Sequence, residues 1–475
     1  MSQQRCPIQH HAEQQPDAPA LIQSEGTVSY ADYNAAIGIA ASQLRAAGVE
    51  RGSTVALALP PGYPALVILP ALFRLGAIAF PLNPRFPEAY LRTQLRRFAC
   101  RVIVAMDTNL RAGAEDLRVL PVEAVLQGPR DAAQVSVTVN LDDPATMILT
   151  SGSTGAPKAA VHAYGNHYHN ALRSNTNLPL APGDRWLMSL PLHHVAGIGV
   201  LFRTTLAGAA MVLPGPDEAL AACIARHRAT HVSLVATQLY RLLQYPEGRA
   251  ALAGCKAILL GGSAISEALL REAHTTGLPI LTSYGMTEMA TQVTTTAPGD
   301  GLDALLTSGR PLAEGILRIA PSGEIQVRGE TLFLGYAADH GLHRPLTEDG
   351  WFATGDLGSL DHAGRLRVLG RKDNLFIAGG ENVQPEEVEA IISALPSVQR
   401  VLVVPVDDPE FGVLPVAFAR MTNGAPPNED ALRTALAEQL PRFKLPRRFY
   451  PWPEDLCPGD EKPQRAAFTD RAQLR

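Results

Sequence analysis

A chain of 475 residues, 46% hydrophobic and only 18% charged, has room for roughly two to four domains and the make-up of a globular protein with a sparsely charged surface. Its formal net charge of -5 includes no basic block, so nucleic acid is not an expected partner. The most apolar stretch, residues 55–82, is interrupted by Pro60, Pro61, Pro64, Pro70 and Pro81 and carries Arg74, which argues against a membrane span.

The N-terminus, MSQQRCPIQHHAEQQPDAP, lacks a charged-then-apolar signal pattern, so secretion is not expected. Cys6, Cys100, Cys223, Cys255 and Cys457 are scattered, odd in number and free of CxxC spacing. They read as unpaired buried thiols in a reducing, cytoplasmic setting, with neither a disulfide nor a metal framework. Of 41 basic residues only Lys158, Lys256, Lys372, Lys444 and Lys462 are lysine. Where arginine is the default cation, a lysine marks a place where a compact, flexible ammonium is wanted.

From residue 19 to 143 helical patterns alternate with short apolar runs: a helix over 30–47, a strand over 55–59, a helix over 64–74, and strands over 77–82 and 101–106. The alternation continues with strands at 185–190, 210–213, 231–235, 257–260 and 280–284. Such alternation predicts an α/β protein with mostly parallel sheets covered by helices. After residue 309 the texture changes to short strands and tight turns, at 316–320, 324–328 and 366–369, which predicts a β-rich subdomain. Beyond Asp373 a small α+β unit is expected, with helices at 384–395 and 429–440 and strands at 400–406 and 416–420. Pro385, Glu386 and Glu387 suit the first of these helix starts. The predicted division is a large N-terminal domain, 1–371, and a small C-terminal domain, 372–475.

The stretch TSGSTGAPK, residues 150–158, follows the apolar run 145–149 and has the chemistry of a phosphate-holding loop. Gly152 and Gly155 let backbone approach an anion, Thr150, Ser151, Ser153 and Thr154 donate hydrogen bonds, and Lys158 supplies charge. It is not a Walker A loop, which needs GxxxxGK followed by Ser or Thr. A second stretch, Ser283-Tyr284-Gly285-Met286-Thr287-Glu288, ends a predicted strand, the place where open α/β sheets bind ligands. It offers a hydroxyl at Thr287, a carboxylate suited to Mg²⁺ at Glu288 and a stacking ring at Tyr284. Gly262, Ser263 and Ala264 follow another strand and leave bare backbone against which a flat ring can lie. In WFATGDLG and GRKDN, Asp356 has the carboxylate that holds a ribose diol, with Arg371 to assist. Each of these stretches taken alone also reads as an ordinary turn.

Taken together and in order, TSGSTGAPK, SYGMTE, WFATGDLG, GRKDN, AGGENVQPEEVE and a lysine near the C-terminus resemble the adenylate-forming superfamily of acyl-CoA synthetases, adenylation domains and luciferases. The resemblance covers nearly the whole chain. It implies ATP, Mg²⁺ and coenzyme A, a mobile C-terminal lid, and two half-reactions. A carboxylate and ATP give an acyl-adenylate and pyrophosphate; a thiol then displaces AMP.

By the same resemblance, residues 150–158 hold the β,γ-phosphates, Tyr284 lies near adenine, Thr287 touches the α-phosphate and Glu288 binds the metal. Asp356 and Arg371 bind the ribose, Asp373 is the hinge, and Gly379 and Gly380 border the pantetheine path. Lys462 matches the lysine that acts in adenylation, although Glu461 stands where the family usually has glycine; the K-x-x-R spacing to Arg465 is kept, and Lys444 is the alternative. His194 is implied at the acyl and thiol channel and Gly285 beside the substrate. Arg203 is out of place in a fatty-acid pocket but suits the second carboxylate of a diacid, unless it points outward from its helix. A CoA ligase for another aryl or fatty acid and a carrier-loading adenylation enzyme are the alternatives, and a homo-oligomer is left open.

Overall fold

The computed structural model describes residues 3–86, 88–106, 117–128, 138–150, 158–262, 265–338, 341–378, 381–408, 412–437, 439–459 and 463–474. They form two compact units. One contains Met1–Ser263, Thr276–Leu317 and Val327–Phe352; the other contains Ala264–Thr275, Arg318–Gln326 and Ala353–Arg475.

The first unit holds two large sheets. One has eight strands in the order Gly341–His343, Gly335–Ala338, Lys158–Ala163, Pro144–Thr150, Ile78–Pro81, Thr54–Ala58, Val102–Ala105 and Arg118–Pro121. The last five pair in parallel and the first three are added antiparallel. The other has nine strands, and its centre, Ile280–Met286, Ala257–Leu260, His231–Leu234, Arg185–Leu187 and Ala210–Val212, is parallel. Thr291–Thr295 turns back antiparallel on Ile280–Met286. Parallel strands need crossover helices on their faces, which is why the strands read as short, wholly apolar runs.

Two helices are buried in the core that joins these sheets. In Tyr63–Leu75 every residue from Ala65 onward is buried, and in Val195–Ala207 so are the residues from Gly197 to Thr205. A helix apolar around its whole circumference has no solvent face to offer. Phe73 and Phe202 meet at 5.6 Å between ring centres, and one continuous core joins them to Leu57 and Ile148 from one sheet and Met211 and Leu281 from the other. Arg203 therefore lies on a helix with no outward side.

In the second unit, Val398–Asp408 pairs antiparallel with Gly412–Met421, which pairs in parallel with Phe449–Pro451. Alternation along these strands feeds two cores. Val403 and Ala417 pack with Val388, Ile392, Leu432 and Leu436 from the helices Pro385–Ser393 and Glu429–Ala437. Val404 and Phe418 pack with Trp452 and with Phe468 of the helix Arg465–Gln473. A four-stranded sheet, Leu317–Ile319, Glu324–Val327, Phe352–Leu360 and Leu366–Arg371, corresponds to the expected β-rich region. All five cysteines are free and buried. Among the described residues no helix is long and apolar enough to cross a membrane.

Candidate active site

The strand Pro144–Thr150 and its antiparallel neighbour Lys158–Ala163 bring Thr150 and Lys158 opposite each other. Ser151, Gly152, Ser153, Thr154 and Gly155 lie outside the described residues. The Lys158 ammonium sits 5.0 Å from the ring centre of Tyr336, a cation–π distance. The Tyr336 hydroxyl donates a 2.5 Å hydrogen bond to Glu288 Oε1. Three side chains from three separate stretches thus converge, and Glu288 is only 9% exposed.

Glu288 lies on the short 3-10 turn Thr287–Met289, which ends at Ala290 in the left-handed region, φ 56°. The following Thr291 holds φ 147°, a costly setting for a β-branched residue and one retained only where its surroundings enforce it. The reason for glycine at 285 is steric: a Cβ there would come within 2.2 Å of the Thr291 carbonyl oxygen, beside the bulge between Tyr284 and Gly285. Tyr284 is half-buried. Glu288 carboxylate and Thr287 hydroxyl are hard oxygen donors of the kind Mg²⁺ prefers, so these residues fit that ion.

Beneath this turn lies a network that the sequence motifs do not contain. His162 Nε2 is 2.6 Å from the Thr287 carbonyl oxygen, which can only accept, so Nε2 carries the proton. Burial pushes the His162 pKa down to about 4 despite that hydrogen bond, leaving Nδ1 bare as an acceptor. The Thr146 hydroxyl, 3.2 Å away, donates to it and itself accepts from His167 Nε2 at 2.8 Å. His167 Nδ1 is then a buried acceptor, and it has no partner among the described residues. The geometry fixes every proton: His167 to Thr146 to His162 to the backbone of Thr287.

Arg203 is 2% exposed. Its Nη2 donates to Thr291 Oγ1 at 3.0 Å, its guanidinium carbon lies 5.3 Å from the Trp186 ring centre, and its Nε is buried with no partner among the described residues. Among those residues no carboxylate pairs with it, and burial draws its pKa down to about 10. Thr291 passes the contact on to Asn170 Oδ1 at 2.6 Å, and Asn170 Nδ2 donates to the carbonyls of Met289 and Gln292. The same residue, Thr291, therefore touches both Arg203 and the strand return that sets Gly285.

His194 is exposed at the start of the helix Val195–Ala207, its ring 4.6 Å from that of His193. Gly262, φ +83°, follows the strand Ala257–Leu260, and a Cβ on the preceding Gly261 would sit 3.5 Å from the Ser283 carbonyl oxygen. Ser263 and Ala264 lie outside the described residues, as do Gly379, Gly380 and Lys462.

In the second unit Arg371 is the organiser. It donates to Asp356 Oδ1 at 3.1 Å and to the Thr354 carbonyl at 2.9 Å, and grips Asp373 with two bonds of 2.9 and 3.1 Å. Burial works against the Asp373 charge, but the Arg371 hydrogen bonds and charge outweigh it and hold that carboxyl below its ordinary range. Gly355, at φ +75°, allows the close approach; a Cβ there would meet Arg371 Nη2 at 2.6 Å. Lys444 is engaged by both carboxylate oxygens of Glu387, at 2.7 and 2.6 Å, and so has a structural occupation.

The sequence profile of the AMP-binding enzyme family matches residues 8–337, and that of the AMP-binding enzyme C-terminal domain matches residues 387–456. The chain is an AMP-binding enzyme. Among curated members, the 2-succinylbenzoate–CoA ligase of Geobacillus kaustophilus is 36% identical over 454 residues, 92% of this chain and 91% of that protein. That of Salmonella typhimurium is 36% identical over 466 residues, 97% and 96% respectively. Among solved AMP-binding enzymes, the Bacillus subtilis o-succinylbenzoate CoA synthetase in complex with its acyl-adenylate intermediate superposes with a TM-score of 0.88 at 30% identity, covering 100% of this chain and 99% of that one. The same enzyme with ATP and magnesium gives 0.85 at 30%, covering 98% of each.

Proposed function

We propose that this AMP-binding enzyme is an AMP-forming acid–CoA ligase that converts 2-succinylbenzoate, ATP and coenzyme A into 2-succinylbenzoyl-CoA, AMP and pyrophosphate, a step of menaquinone or phylloquinone synthesis. The observation that carries the choice of acid is Arg203: a fully buried guanidinium with an unpartnered Nε and no carboxylate partner among the described residues. A diacid uses one carboxylate for adenylation and retains a second, which such a group binds through charge-assisted hydrogen bonds. The relatives named for this acid support the same reading.

In this reading residues 150–158 grip the departing pyrophosphate, with Lys158 as anchor. Thr287 orients the α-phosphate, and Glu288, held by Tyr336, contributes its carboxylate to the metal site. Magnesium, when bound, neutralises polyphosphate charge and favours departure of the leaving group. Tyr284, Gly262, Ser263 and Ala264 border the adenine; Asp356, oriented by Arg371, takes the ribose hydroxyls. Lys462 stabilises the negative charge that develops on phosphorus oxygens as the substrate carboxylate attacks. Residues 372–475 act as the lid, swivelling at Asp373, and Gly379, Gly380, His194 and Gly285 border the thiol and acyl paths.

A pyrophosphate-release assay over a panel of acids tests this. Turnover with 2-succinylbenzoate should exceed that with benzoate, monocarboxylic aryl acids and fatty acids; equal turnover with any of these overturns the assignment of the acid. Loss of release in Lys462→Ala is expected as well.

A further inference from the structure

The loop after the strand Ala210–Val212 and the helix that follows it, which carry none of the residues assigned above, bring together Glu218, Cys223 and His227. One ligand-type atom from each lies within 4.8 Å of the other two. Cys223 and His227 stand four apart on the helix Leu220–His227, so they project from one face. Glu218 precedes that helix, and its Oε2 accepts the Gly215 backbone N–H at 2.9 Å, which fixes the carboxylate over the helix start.

Cys223 is fully buried and His227 is 8% exposed. His227 Nε2 is buried without a hydrogen-bond partner among the described residues, and so is Glu218 Oε1. The latter ion-pairs with the exposed Arg226, whose Nη1 is 3.2 Å away, and the Glu218 carboxylate also accepts a hydrogen bond from the Cys223 thiol. A buried imidazole nitrogen left without a bond costs about 1–3 kcal/mol, so the cluster calls for a partner that the described residues do not supply.

We propose that Glu218, Cys223 and His227 form a three-ligand metal site for a zinc-class divalent ion, tying the 215–218 loop to the helix Leu220–His227. Thiolate, imidazole and carboxylate are a borderline-soft donor set that suits zinc and not magnesium, and three protein ligands leave a fourth tetrahedral position for water. Binding forms a metal–sulfur bond and releases the Cys223 thiol proton to solvent; Arg226 gives up Glu218 Oε1 and turns to water. Because the thiol must lose its proton to ligate, affinity rises with pH.

The test uses the full chain, stripped with chelator and titrated with Co²⁺ and Zn²⁺. Co²⁺ should give the near-ultraviolet charge-transfer band of a thiolate ligand, Zn²⁺ should displace it and raise the melting temperature, and acyl-CoA formation should be unchanged. Cys223→Ser should abolish the band, and His227→Gln should weaken binding at least ~10-fold. Should Cys223→Ser fail to fold by circular dichroism, His227→Gln and Glu218→Gln decide. Absence of the band in the wild-type chain, or a band undiminished in the variants and hence owed to another cysteine, overturns the site.

Discussion

Replacing Arg203 with methionine should make the ligand-free protein more stable while disabling it. Burial lowers the Arg203 pKa from 12.5 to about 10, which corresponds to about 3 kcal/mol of unrelieved desolvation for a side chain 2% exposed. Against this stand the hydrogen bond to Thr291 and the Trp186 contact, together about 1–2 kcal/mol. Methionine keeps the apolar stem and fills much of the volume, so the net expectation is a gain of about 1–2 kcal/mol in the absence of substrate. In a chain of this size that is a rise of about 1–2 °C in melting temperature, readable by scanning fluorimetry.

The functional cost has the opposite sign. A charge-assisted bond to the second substrate carboxylate is worth about 1.5–3 kcal/mol, so kcat/KM for 2-succinylbenzoate should fall ~10- to 100-fold. The loss should lie mainly in the acid's KM, with the KM for ATP unchanged. A variant less stable than wild type when ligand-free and equally active on the diacid would refute the reasoning on both counts.

Other outcomes follow from the same geometry. Tyr336→Phe keeps the ring under Lys158 but removes the donor to Glu288, and should lower kcat/KM of adenylation ~10-fold or more with a raised Mg²⁺ requirement; an unchanged Mg²⁺ titration would count against it. His162 is held neutral by burial, with its pKa lowered from 6.5 to about 4, so its contribution is intact above pH 6.5 and is lost as pH falls toward 4. The full loss is about 3 kcal/mol, and His162→Gln, which keeps a donor for the Thr287 carbonyl, should flatten that part of the acid slope in urea unfolding; identical slopes would contradict it. Gly285→Ala drives a methyl into the Thr291 carbonyl and should cost more than about 2 kcal/mol by chemical denaturation, with activity falling alongside. Lys462→Ala should reduce adenylation ~10²- to 10³-fold, measured as pyrophosphate exchange, while hydrolysis of added acyl-adenylate proceeds as before.

Much of the architecture was legible in the residues. The apolar runs at 257–260 and 231–235 correspond to the strands Ala257–Leu260 and His231–Leu234, and the helical spacing at 30–47 to the helix Tyr30–Ala46. The antiparallel additions were not legible: Lys158–Ala163 and Thr291–Thr295 are short apolar or threonine-rich runs whose direction is set by tight returns, and period-two patterning carries no direction. For Arg203 the sequence left inward and outward orientations open, and the apolar circumference of its helix decides for the interior.

The chemistry-bearing stretches were visible because glycines, hydroxyls and charges cluster there. Their supports were not. His162, Thr146 and Tyr336 reach the Thr287–Glu288 turn from strands distant in sequence, and only strand pairing brings them there. Cys223 and His227 escaped because CxxC spacing is the usual flag for a metal, whereas their four-residue helical spacing is common without one.

The most direct measurement is mass spectrometry of the products formed from 2-succinylbenzoate, ATP, Mg²⁺ and coenzyme A, run once with and once without the thiol. The account predicts 2-succinylbenzoyl-CoA with an equal amount of AMP in the complete mixture, and the acyl-adenylate alone when coenzyme A is withheld. ADP in place of AMP, or no thioester from this acid under conditions where another acid is converted, would contradict it.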